Sequence, residues 1–151
     1  MTVGIIYIHG IHVRKPGYST RIHQRVLDYL ERRKNPEGFR PCVDVSFREV
    51  YWADIFEPLS DKLRKGMHPA GLTWPLFRNE ALMIIAQTLG YEDDRGIGAH
   101  ERIQDRIQAK LRELQFEAGA DSPVIFVAHS LGSIIASDFI WDHQHYKRGF
   151  P

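Results

Sequence analysis

Apolar runs and helical stripes alternate along the chain. Val3 to Ile8 is largely apolar and rich in β-branched residues, which is typical of a strand covered on both faces. The segment that begins at Ser19 or Thr20 predicts an amphipathic helix, because its apolar residues share one stripe at Ile22, Val26, Leu27 and Leu30. Asn35-Pro36-Glu37-Gly38 predicts the end of this helix, since proline cannot continue it and glycine favours a turn.

The middle of the chain predicts a second strand and then a less regular segment. Val43, Val45 and Phe47 alternate with Asp44, Ser46 and Arg48, and the run continues towards Tyr51 and Trp52. This alternation indicates one wetter face, and the charges favour a place near the edge of a sheet. Residues 54–98 predict helices around 55–65 and 79–89. We interpret this segment as an insertion over the core and a candidate lid.

The last third predicts a helix, a strand and another helix. Apolar residues at helical spacing indicate a helix over about 100–117, with its stripe at Ile103, Ile107, Leu111 and Leu114. Val124 to Val127 predicts a third strand, apolar on both faces, and a buried helix follows to about His143. The order β-α-β-α-β-α predicts one α/β domain over residues 1–151, a three-layer sandwich whose mostly parallel sheet is covered on both faces.

Composition narrows the class of protein. The chain has 151 residues, 43% apolar and 26% charged, with 20 Lys and Arg against 19 Asp and Glu, so we expect neither nucleic acid nor an anionic membrane as a partner. Its apolar runs are far shorter than the roughly 20 residues of a membrane span. A single cysteine, Cys42, excludes an intramolecular disulfide and fits a cytoplasmic protein. The pairs His9-x-x-His12 and His143-x-His145 lack a third ligand at a known spacing, so no metal is expected.

The segment Ala128-His129-Ser130-Leu131-Gly132 carries the clearest chemistry. It has the form small-x-Ser-x-Gly between an apolar strand and an apolar helix. A strand that turns directly into a helix strains the residue at the apex, and the positions two before and two after must be small. Ser130 is that apex, and the N–H of Leu131 begins the helix, where developing negative charge is stabilised.

This segment resembles the nucleophile elbow of the α/β-hydrolase superfamily, in its lipase and esterase branch. Ile5-Ile6-Tyr7-Ile8-His9-Gly10-Ile11-His12 resembles the strand and His-Gly turn that supply the second oxyanion donor in those enzymes. The resemblance implies that the first strand lies between the other two. It also implies an oxyanion hole formed by the N–H groups of Leu131 and Ile11, with His9, Gly10 and His129 against the substrate. For His9 and His129 a structural role, in which they hold neighbouring loops by hydrogen bonds, is favoured over that of titrating catalysts.

The resemblance implies a serine hydrolase in which Ser130 attacks a small acyl or ester substrate, with no cofactor. Ala128 replaces the more usual glycine, and the acid and histidine that should follow the serine are not visible. A non-catalytic binding domain or an inactive fragment is therefore the alternative. A nucleotide or phosphate binder is disfavoured, because no Gly-x-Gly-x-x-Gly or Gly-Lys-Ser/Thr motif follows either apolar strand.

The third strand has the uncharged composition of a strand paired on both sides. An open apolar edge invites aggregation, and only Pro123 blunts it. We therefore expect the α/β-hydrolase-like fold to be truncated here, so that either a missing C-terminal segment beyond Pro151, with the acid and histidine, or a second chain covers residues 124–127.

Overall fold

The computed structural model describes residues 2–11, 13, 15–32, 44–66, 75–92 and 98–145. Nine elements follow one another in these ranges: β1 (Thr2–Ile8), α1 (Thr20–Arg32), β2 (Asp44–Val50), a 3-10 turn (Ala53–Phe56), α2 (Glu57–Gly66), α3 (Pro75–Glu92), α4 (Ala99–Ala118), β3 (Val124–Ala128) and α5 (Leu131–His145). The predicted end of α1 at 35–38, the start of the second strand at Val43, and Cys42 and His12 lie outside the described residues. None of the helices within these ranges has the length and apolar character needed to cross a bilayer.

The three strands form one parallel sheet in the order β2-β1-β3. The predicted α/β class is confirmed, as is the prediction that the first strand lies between the other two. Ile5 of β1 pairs with Phe47 of β2 on one side and with Ile125 of β3 on the other. Because all three strands run in the same direction, their carboxyl ends meet at one edge of the sheet.

Helices cover both faces of the central strand, whose residues Ile5 to Ile8 are all buried. On one face Ile6 and Ile8 belong to the main core with apolar residues of α4 and α5. Gly4 lies so close to Leu114 of α4 that a β-carbon there would clash with it. On the opposite face Tyr7 contacts His23 of α1 edge to face. The predicted coverage on both faces is therefore present at β1.

Coverage is incomplete at β3, which has only β1 as a strand neighbour within the described sheet. Phe126 packs against the core, whereas Ile125 and Val127 on the other face are 50% and 39% exposed. The prediction that this strand is buried on both faces is wrong for the described residues. The reason is that α1 packs over β1 and β2 on that face, through His23 and Phe47.

Two of the predicted helices bury a different side, or less of their surface, than expected. In α1 the buried residue is His23, while Ile22 is 51% exposed. Helix α5 buries Leu131, Gly132, Ile135, Ala136 and Phe139 but exposes Ile134 and Trp141. The prediction that this last helix is buried is therefore correct for one side of it only.

The segment predicted as an insertion is joined to the core at both ends. Ile55 and Phe56 of the 3-10 turn and Tyr91 near the end of α3 belong to the main core cluster. Arg106 of α4 donates to both carboxylate oxygens of Asp54 and to the carbonyl of Tyr51. These contacts fix the ends of the segment, and a lid formed by the stretch between them stays a prediction.

Candidate active site

Ser130 lies at the junction of β3 and α5, with only His129 between it and the end of the strand. Its φ angle is 53°, and among the described residues it is the one non-glycine with a positive φ. The left-handed conformation costs a residue with a β-carbon roughly 1–2 kcal/mol. Ser130 is exposed, so the strained turn presents its hydroxyl to solvent.

Backbone hydrogen bonds hold this turn against the central strand. The N–H of His129 donates to the carbonyl of Ile8 over 3.1 Å, which continues the pairing of β3 with β1. The N–H groups of Gly132 and Ser133 donate to the carbonyls of His129 and Ser130 at 3.0 and 2.8 Å. These bonds close the first turn of α5 and stabilise the strained angle at Ser130.

The turn leaves no room for side chains at Gly132 and Gly10. A β-carbon on Gly132 would lie 2.6 Å from the carbonyl oxygen of Ile8 and closer still to that of His9. A β-carbon on Gly10 would lie 2.8 Å from the Cβ of Ser130 and 2.8 Å from the carbonyl oxygen of His129. The loop after β1 therefore passes in direct contact with the elbow.

The two expected oxyanion donors belong to the residue after Ser130 and the residue after Gly10, which contacts Ser130. Leu131 is the first residue of α5, where N–H groups lack acceptors within the helix and the helix dipole favours negative charge. Ile11 follows Gly10 in the turn after β1, and its side chain packs against the core. The two segments that the sequence singled out therefore meet at Gly10 and Ser130.

His9 is buried, and its ring nitrogens have partners inside the protein. Nε2 accepts the backbone N–H of Trp52 at 3.1 Å, and Nδ1 lies 2.6 Å from the carbonyl oxygen of Gly10. Burial lowers the pKa of His9, an effect opposed by the Gly10 bond and by the charges of Glu49 and Asp54. These contacts fit the structural role favoured for His9, in which its ring holds neighbouring loops by hydrogen bonds, and not the contact with substrate that the resemblance implied.

Trp52 completes this framework, and sequence reasoning did not connect it with His9. Its indole stacks on the His9 ring with centroids 4.5 Å apart, and its Nε1–H donates to the His9 carbonyl at 2.9 Å. Trp52 is fully buried. Neither motif nor spacing marks a contact between residues so far apart in the sequence.

A tyrosine and a glutamate fix residues 17–19, directly before α1. The Tyr18 hydroxyl lies within hydrogen-bond distance of the carbonyls of Tyr7 and Val50, at 2.7 and 3.0 Å. The Glu49 carboxylate accepts the backbone N–H groups of Gly17 and Ser19 and the Ser19 hydroxyl. Burial raises the pKa of Tyr18, so this phenol is a neutral donor. Residues 17–19 are therefore fixed to the ends of β1 and β2.

His129 lies beside Gly10 and is exposed. Its Nδ1 is 3.0 Å from the position that a β-carbon on Gly10 would occupy. Its backbone pairs with Ile8, as described above. Of the two histidines expected against the substrate, His129 is the one whose ring is open to solvent.

Within the described ranges, the structure does not bring a catalytic triad together around Ser130. Asp138 accepts the Tyr91 hydroxyl at 2.6 Å, and Asp142 lies 3.5 Å from Nε2 of His100. His143 contacts the Phe139 carbonyl and Gln108. No described residue forms a hydrogen bond with the Ser130 hydroxyl. The side chains of Asp138, Asp142 and His143, which follow Ser130 in the sequence, thus have other contacts.

The described residues contain no group of three or more His, Cys, Asp or Glu side chains arranged to hold a metal ion. Comparisons of the chain with protein-family models, with curated proteins and with solved structures found no match. The function is therefore argued from the site itself.

Proposed function

We propose that the protein is a serine hydrolase with an α/β-hydrolase-like fold that acts on an ester or a related acyl substrate. The observation that carries the proposal is the conformation of Ser130, an exposed serine in a left-handed turn between a parallel strand and a helix, in contact with Gly10. Strained backbone angles are common at functional sites, where the surrounding structure must hold them. A structural turn at this place would be less strained with glycine or asparagine than with serine.

In the proposed reaction the Ser130 Oγ attacks the acyl carbonyl carbon, and the carbonyl oxygen becomes an oxyanion. The N–H groups of Leu131 and Ile11 donate to that oxygen. The intermediate collapses to an acyl-serine as the C–O bond to the alcohol breaks, and the alcohol leaves with the proton that Ser130 lost. Water then adds to the acyl-serine, releasing the carboxylic acid and restoring the serine hydroxyl.

The experiment is labelling with a fluorophosphonate, a reagent that forms a covalent bond only with an activated serine. We expect a single adduct, located by peptide mass spectrometry at Ser130 and lost in Ser130→Ala. Ser137→Ala is the matched control, because Ser137 is an exposed serine on α5, the helix that directly follows Ser130. Labelling that persists in Ser130→Ala, or that is lost equally in Ser137→Ala, would contradict the assignment.

The alternative is a non-catalytic domain that keeps the fold and binds an acyl ligand or a protein. It is favoured by one observation, namely that Asp138, Asp142 and His143 contact residues other than Ser130. Without a base the hydroxyl is unactivated, and an oxyanion hole with binding alone retains about 10³ to 10⁴ of rate acceleration over water. A folded wild-type protein that the fluorophosphonate does not label would favour this alternative.

A further inference from the structure

The orientation of one peptide group decides whether Ile11 can serve the proposed site. In a trans peptide the carbonyl and the N–H point in opposite directions, and no described peptide bond is cis. The carbonyl of Gly10 and the N–H of Ile11 belong to the same peptide. Whatever binds the Gly10 carbonyl therefore also sets the direction of the Ile11 N–H.

The group that binds the Gly10 carbonyl is the ring of His9. The backbone N–H of Trp52 donates to Nε2, so Nε2 carries no proton. A neutral imidazole then carries its proton on Nδ1, and Nδ1 lies 2.6 Å from the Gly10 oxygen. The stacked indole of Trp52 and the buried position of the ring leave it a single orientation.

Gly10 is also in contact with the elbow, because Ser130 Cβ and the His129 carbonyl oxygen each lie 2.8 Å from the position that a β-carbon on Gly10 would occupy. The buried His9 ring draws the Gly10 carbonyl inward. The Ile11 N–H of that peptide consequently points the opposite way from the carbonyl, one residue after the contact between Gly10 and Ser130.

We propose that His9 is a positioning residue, whose Nδ1–H binds the Gly10 carbonyl and thereby directs the N–H of Ile11 towards the acyl oxygen at Ser130. This role rests on the proposed hydrolase function. It replaces the substrate contact implied for the His9 ring with an indirect one. Trp52 takes part because its backbone N–H selects the tautomer that can donate to Gly10.

Two variants separate the two bonds that the ring makes. His9→Asn carries an amide nitrogen near the Nδ1 position, so it can still donate to Gly10 but gives Trp52 no acceptor. His9→Gln carries an amide oxygen near the Nε2 position, so it can accept from Trp52 but no longer donates to Gly10. Both variants lose the stacked ring, which makes each the other's control for lost packing.

The first measurement is nuclear magnetic resonance of the full chain and does not depend on activity. We expect ¹⁵N shifts of the wild-type His9 ring to show a protonated Nδ1 and an unprotonated Nε2. The Gly10 carbonyl ¹³C resonance should keep its hydrogen-bonded position in His9→Asn and move in His9→Gln. The opposite tautomer, or the same carbonyl shift in both variants, would overturn the proposal.

The second measurement is the rate of fluorophosphonate labelling at Ser130. Loss of one oxyanion donor costs about 10²- to 10³-fold in rate, so we expect His9→Gln to react about 10- to 100-fold more slowly than His9→Asn. Melting temperatures show whether the difference follows stability instead. Equal labelling rates in the two variants, or rates that only track melting temperature, would overturn the positioning role.

Failure of the underlying function gives a different result. If wild-type protein shows the expected tautomer and Gly10 shift but no labelling, the hydrolase proposal fails while the orientation of the peptide stands. If labelling is normal and the resonances are not as expected, Ser130 is the nucleophile and His9 does not position Ile11.

Discussion

Gly132 is the residue whose side chain the fold can least accommodate, since a β-carbon there would meet the backbone of β1. We expect Gly132→Val to lower the free energy of unfolding by about 1–3 kcal/mol or more, as overpacking does. Ser130→Ala removes one exposed hydroxyl and should change it far less. Urea unfolding of both variants measures the difference, and equal midpoints would contradict the crowding at this crossing.

Ser130 has a β-carbon at a positive φ angle, a conformation that favours glycine. Ser130→Gly should therefore stabilise the protein, by about 0.5–1 kcal/mol after the entropy cost of glycine in the unfolded chain. Ser130→Ala keeps the β-carbon and with it the strain. A melting temperature for the glycine variant below that of the alanine variant would show that the positive φ is not costly here.

His23 gives the fold a pH dependence. Burial lowers the pKa of His23 in the folded state, and its Nδ1 has no hydrogen-bond partner among the described residues. The unfolded chain therefore binds the proton more readily, so stability is lost as the pH falls from about 6.5, the usual pKa of histidine, towards the lower folded-state pKa.

His23→Phe should flatten this pH dependence while keeping the ring that stacks on Phe47, whose centroid is 3.6 Å away. Melting temperatures between pH 8 and pH 5 measure the slope. His145→Phe is the control, because His145 is exposed. His9 is also buried, so part of the dependence of melting temperature on pH should remain in His23→Phe. An unchanged dependence in this variant would show that His23 does not contribute to it.

At the scale of elements, the start of helix α1 depends on a carboxylate from strand β2. Glu49 at the end of β2 accepts three hydrogen bonds from Gly17 and Ser19. Hydrogen bonds to a charged group contribute about 1.5–3 kcal/mol each at most, and Glu49→Gln weakens them without removing the side chain. We expect a loss of about 1–3 kcal/mol by urea unfolding. The control is Asp121→Asn, in an exposed turn, which should leave the free energy of unfolding unchanged. Equal losses in the two variants would contradict the role of Glu49 at the start of α1.

The sequence predicts elements better than it predicts their faces. Strand β3 and the turn at Ser130 follow from a local pattern, because the strain and the small residues act within five positions. The burial of His23 instead of Ile22 does not follow from a local pattern, because contact with Phe47 of a distant strand decides which side of α1 is covered. The pairing of His9 with Trp52 likewise depends on β1 and β2 being neighbours, which no local pattern carries.

At the scale of the whole molecule, the two edge strands of the described sheet differ, because β2 carries charged residues and β3 is apolar. Strand β2 carries Arg48, which is paired with Glu113 and Glu117 of α4. Strand β3 is uncharged, and Ile125 and Val127 lie on its exposed face. Uncharged apolar edge strands promote association between chains. In concentrated solution we therefore expect molecules to associate through β3 more readily than through β2.

We expect Ile125→Lys to reduce concentration-dependent association, measured by light scattering. The control is Phe116→Lys, because Phe116 is 94% exposed on α4 and replacing it removes a comparable apolar side chain. Melting temperatures should stay close to wild type for both variants. An equal reduction by both would assign association to exposed apolar area in general rather than to β3.

The pairing of Ile5 with Ile125 also sets the order in which the molecule can be assembled. A ribosome adds about 5–20 residues per second and releases the N-terminus first. The central strand therefore emerges seconds to tens of seconds before the neighbour that closes its second side, and until then the elbow cannot form. During that interval the apolar strand β1 has no neighbour on the side that β3 later occupies. In the cell, the yield of native protein should therefore depend on chaperones that bind nascent chains.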